Sequence, residues 1–88
     1  MNRDKMVNAP SKVVASAAMQ CVDRLQNFPP HIQPVALAVL FIEVCKAHRV
    51  ASPDVLTVAT NMMADTIHGE RPEFKALRDY MKYELAYA

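Results

Sequence analysis

The sequence predicts an all-α fold, a compact bundle of about four helices, and three observations lead there. Apolar residues recur at helical spacing in four separate stretches, prolines cluster where those stretches begin, and the single glycine falls where one of them ends. The strand alternative rests on Val35 to Ile42, the one uninterrupted apolar run and the only candidate for a buried strand. It contains Ala36 and Ala38, continues as EVCKAHR, and has no second strand-like run to pair with, so it reads as a helix.

Residues 1–9 read as a flexible N-terminal segment and 10–88 as a single helical domain. Asn8 is a good N-cap ahead of Pro10, which opens a helix to about Asn27 with Val14, Ala17, Ala18, Cys21, Leu25 and Phe28 recurring on its inward side. Pro29 and Pro30 break the chain, because a proline disfavours helix in the residue before it and cannot donate a hydrogen bond. The next helix starts near His31 if its first turn takes in Pro34, or otherwise at Pro34, and runs to about His48. Lys46, His48 and Arg49 there complement the negative end of its dipole. This helix, about 31–48, is apolar on nearly every side, so it is expected to be central, with the others around it.

Ser52 reads as the N-cap of a third helix, with Pro53 at its first position and Asp54 near the positive end of the dipole. It should reach about His68, with Val55, Leu56, Val58, Ala59, Met62, Met63 and Ile67 on the core side and Gly69 as a left-handed C-terminal cap. Pro72 opens the last helix, PEFKALRDYMKYELAYA, with Glu73 in its favourable first turn. Connections this short favour antiparallel neighbours.

Size and composition bound the function. A chain of 88 residues removes only roughly 60–65% of its unfolded surface from water. Its hydrophobic content of 52%, glycine not counted, exceeds the usual share of about 45–50% with glycine included. The excess is expected to find its outlet in a partner or a second copy, and a homodimer is the simplest arrangement. A net charge of +1 denies the chain the strong positive field on which nonspecific nucleic-acid binding relies. Cys21 and Cys45 lie in apolar helical stretches and read as reduced thiols in a cytoplasmic setting. The N-terminal stretch does not read as a secretory signal, and Glu43 and Lys46 cut the apolar run short of the about 20 residues that a spanning helix needs.

Catalytic chemistry is not expected. One glycine leaves no phosphate-cradling loop and no nucleophile elbow. Cys45 and His48 could share a helix face, but read as a core thiol and a helix-end imidazole. His31, His48 and His68 are isolated and lack metal-ligand spacing, so no metal or other cofactor is expected. Glu43, interrupting the apolar helix, should reach outward or pair with Lys46 or a neighbouring helix. A helix-turn-helix reading of residues 31–68 fails on charge, because Pro53 to Ile67 holds no lysine or arginine with which to contact bases or phosphates.

The last helix carries the one patterned surface. Phe74, Leu77, Met81 and Leu85 form an apolar side, Arg71, Lys75, Arg78 and Lys82 a basic ridge, and Tyr80, Tyr83 and Tyr87 a third arc roughly opposite the core. Those three tyrosines and four cations are the candidate partner-binding residues, since Tyr and Arg bury large areas at little entropic cost. A solvated charged flank remains an alternative, as does RNA stacking on tyrosine beside the ridge.

The phrases FPPHIQPVALAVLF and PEFKALRDYMKYEL resemble small accessory proteins encoded by tailed bacteriophages, a likeness over the last two thirds of the chain. That resemblance implies a non-enzymatic early protein that binds and modulates a bacterial host or defence component in the host cytoplasm, and it transfers no catalytic residue. A nucleic-acid-binding protein using the basic ridge and a structural homo-oligomer stay open beside it.

Overall fold

The computed structural model describes residues 2–85, and among them it is helical with no strand. Five helices follow in order, α1 (Arg3–Val7), α2 (Ser11–Leu25), α3 (Gln33–Ala47), α4 (Ser52–Met63) and α5 (Pro72–Glu84). The all-α class is as expected. The added element, α1, lies in the segment read as a lead-in. The Asn2 side chain caps it by accepting from the Asp4 amide at 2.8 Å, and Asn8 closes it by donating from Nδ2 to the Asp4 carbonyl at 2.9 Å. Asn8 therefore ends α1 rather than capping α2, whose N-cap is Pro10, held by its ring at φ −64°.

α3 begins at Gln33, with Pro34 in the first turn where a missing donor costs nothing. The Pro29–Pro30 corner before it is tied by the Gln33 side chain, which is only 6% exposed. Its Nε2 donates to the carbonyls of Leu25 at 3.2 Å and Phe28 at 2.9 Å, joining the end of α2 and the turn after it to the start of α3. At its other end α3 stops by a Schellman motif. The Val50 amide donates to Cys45 and the Arg49 amide to Lys46, and Arg49 takes the left-handed position, φ 57°, that glycine usually fills.

α4 starts at Ser52, with Ala51 as its N-cap, and ends at Met63 rather than near His68. Ala64 is extended, and Thr66 then competes for the backbone. Its Oγ1 accepts from the His68 amide and donates to the Gly69 carbonyl, while Thr66 and Gly69 exchange two backbone hydrogen bonds at 2.8 and 2.9 Å. Gly69 has the expected positive φ, +88°, but uses it to close this turn, not to cap a helix.

The largest correction concerns the centre. The broadest helix contact is α2 on α5, while α1 and α3 each rest on α4. α3, expected to be the hub, buries only Gln33 and Cys45 and leaves Val35 62%, Val39 57% and Leu40 54% exposed. The buried side chains of α2 are Ala15 and Val22, not the stripe from Val14 to Phe28 that the spacing marks as core. A geometric reason accompanies this. The molecule measures 39 × 35 × 17 Å, and a slab so thin cannot place further layers on both sides of a helix that is itself about 10 Å across.

Two substitutions test these local devices by urea denaturation. Arg49→Gly should raise stability by about 0.5–1 kcal/mol, because it relieves the left-handed strain. Gln33→Ala should lower it by about 1–3 kcal/mol, because it removes two hydrogen bonds at the corner, leaving the Leu25 carbonyl with the Phe28 amide alone. An unchanged midpoint in either would contradict the geometry described.

Candidate partner-binding surface

An open groove of about 660 Å³ lies between α2 and α3. Val13, Ala17, Cys21 and Phe28 reach it from α2 and its C-terminal extension, Leu37 and Leu40 from α3, and Arg24 is the one charged residue in its lining. Ala17, Cys21, Leu25 and Phe28, assigned to a core by their spacing, thus line a surface open to solvent. The periodicity identified an apolar face of α2 correctly, but not what stands opposite it. Cys21 is exposed there and Cys45 is buried, both as free thiols. Glu43 pairs with Lys46 at 3.5 Å on the solvent side, so no charge enters the apolar stretch of α3.

α5 presents the residues singled out by pattern. Phe74 is buried, and Leu77, Met81 and Leu85 are half-buried, which gives the helix the inward side expected. The basic ridge is largely engaged within the molecule. Arg71 donates from Nε to the Met62 carbonyl at 2.9 Å and so ties the start of α5 to the end of α4. Lys75 pairs with Asp79 at 2.9 Å and Arg78 with Glu70. Lys82 is exposed. The two tyrosines within α5 differ in environment. Tyr80 is half-buried and its hydroxyl donates to the Asp23 carboxylate on α2, Tyr83 is 86% exposed, and Tyr87 lies outside the described residues.

These contacts set the local electrostatics. The Asp23 carboxylate accepts the Tyr80 hydroxyl and favours the neutral phenol, and with burial and its own charge it pushes the Tyr80 pKa up to about 12. The Lys75 ammonium, by hydrogen bond and charge, holds Asp79 below the ordinary carboxylate value, and Asp79 in turn raises Lys75. Glu73 is held low chiefly by the Ser11 hydroxyl, which donates to Oε2 at 2.7 Å, then by its own backbone amide and by Lys12 and Arg71. Ser11 opens α2 and Glu73 lies in the first turn of α5, so this bond fastens the two helices that share the broadest contact.

Among the described residues, no group of three or more His, Cys, Asp or Glu converges as a metal site would, and no helix is long and apolar enough to cross a membrane. Comparisons with protein families, with curated proteins and with solved structures found no match to this chain.

The Ser11–Glu73 bond carries a pH dependence with a definite sign. The Glu73 carboxyl titrates lower in the folded chain than its ordinary value of 4.5, so its contribution is present above that value and is lost as pH falls through the folded one. Denaturation midpoints followed into acid should fall less steeply for Glu73→Gln and for Ser11→Ala than for the parent. Equal slopes in all three would remove the linkage.

Proposed function

We propose that this chain is a non-enzymatic protein-interaction module. In line with its resemblance to accessory proteins of tailed phages, it would act by binding and modulating a bacterial host or defence protein. One observation carries this reading: a continuous apolar surface from α2 across to α3 stands in water without convergent polar chemistry. Large exposed apolar patches on small proteins mark contact surfaces. A catalytic pocket would need ionisable groups gathered around a reacting atom, and the α2–α3 lining offers only the Cys21 thiol and Arg24, with no carboxylate or imidazole to serve as a base.

A protein partner suits the α5 face better than nucleic acid does. Arg71, Lys75 and Arg78 are engaged with Met62, Asp79 and Glu70, and a phosphate would have to compete for them. Tyr83, at 86% exposure and next to Lys82, is the side chain on this helix most available to a heterologous partner.

The test is affinity capture from host cells with the parent chain and a Tyr83→Ala, Arg78→Ala double variant as baits. The variant should lose the captured protein at least about tenfold while its thermal midpoint moves by no more than a few degrees, as expected of exposed contact residues. Equal capture by both baits would remove α5 from the interface. A gel shift with nucleic acid at low salt and micromolar protein would favour the basic-ridge alternative.

A further inference from the structure

We propose that the α2–α3 surface is one half of a symmetric interface and that a second copy of this chain covers it. The proposal rests on the protein-interaction reading and names the occupant of its apolar face.

Surface area supplies the first argument. A folded monomer of 9.8 kDa is expected to expose about 5,200 Å², whereas this chain exposes 6694 Å². The excess is about 1,500 Å² per chain, or about 3,000 Å² across two, which falls in the range of obligate homodimers, about 2,000–5,000 Å². The radius of gyration points the same way, at 13.9 Å against about 12 Å for a globule of this length.

Layering supplies the second argument. Domains bury their apolar faces between at least two layers of secondary structure. Here the apolar sides of α2 and α3 meet an open groove, and among the described residues no side chain is less than 2% exposed. A slab 17 Å thick becomes a two-layered domain when a second slab lies on its groove side.

Charge separates a second copy from other occupants. In a two-fold interface each residue near the axis meets its own counterpart, so a charged patch there would repel itself. From Gln33 to Ile42, α3 carries no charged residue, the Glu43–Lys46 pair that ends the run is neutral as a pair, and Arg24 on α2 is the single charge in the groove lining. The net charge of +1 adds little repulsion between copies. In the dimer, Leu37 and Leu40 of each protomer pack against the groove of its partner, and Cys21 passes from solvent into the joint core.

Light scattering on the eluting parent protein should give twice the mass of one chain, and the thermal midpoint should rise with protein concentration, as linkage between folding and association demands. Leu37→Ala and Leu40→Ala should each weaken dimerisation by about tenfold or more. Leu40→Asp should give a single-chain mass. If that variant unfolds, the concentration dependence of the parent's midpoint decides the matter on its own. A parent of single-chain mass with a concentration-independent midpoint overturns the proposal, and so does one whose groove binds a fluorescent apolar dye at a stoichiometry of one per chain. Either result leaves the capture experiment on Tyr83 and Arg78 standing, so failure of the dimer and failure of the interaction reading are distinguishable.

Discussion

The corner between α2 and α3 depends on one buried side chain. Two prolines in succession keep the helix from resuming after α2 and deny the chain two donors at the turn, so the carbonyls there draw on other partners. From the start of the next helix the Gln33 amide donates to the carbonyl of Leu25, the last residue of α2, and to that of Phe28 in the turn. A single group thereby satisfies the end of one element and anchors the beginning of another. The groove is what this corner leaves between its two arms.

Much of the architecture could be read in the residues. Pro34, Pro53 and Pro72 each lie in the first turn of a helix, where ring geometry and the absent donor are harmless. The inward side of α5 followed from a four-residue apolar stripe, and the Glu43–Lys46 pair from the cost of burying a lone carboxylate. The misreadings share a cause. Periodicity reports that a face is apolar and is silent about what covers it. The Val14–Phe28 stripe and the α3 run were therefore assigned to an interior that a chain of this size does not enclose. Gln33 and Asp23 were overlooked because each acts through a contact made by the fold, with a helix end in one case and with Tyr80, 57 residues away, in the other.

Energetically the molecule is held by a few distributed devices more than by a central core. Ala15, Val22, Cys45 and Phe74 are its buried apolar side chains among the described residues. Around them work the Ser11–Glu73 bond between α2 and α5, the Arg71 tie between α5 and α4, and the Schellman ending of α3. Each such contact is worth only about 1 kcal/mol. The α5 ridge illustrates the division of labour: its cations mostly organise the chain itself, which leaves Lys82 and Tyr83 facing outward.

The Thr66–Gly69 turn has a practical consequence. It is self-contained, with its hydrogen bonds exchanged between its own residues, and it leaves Ile67 96% exposed. Chain breaks and added sequence are best tolerated at exposed tips that lend no bond to the rest of the fold. This is accordingly the place to graft a reporter or to open new termini.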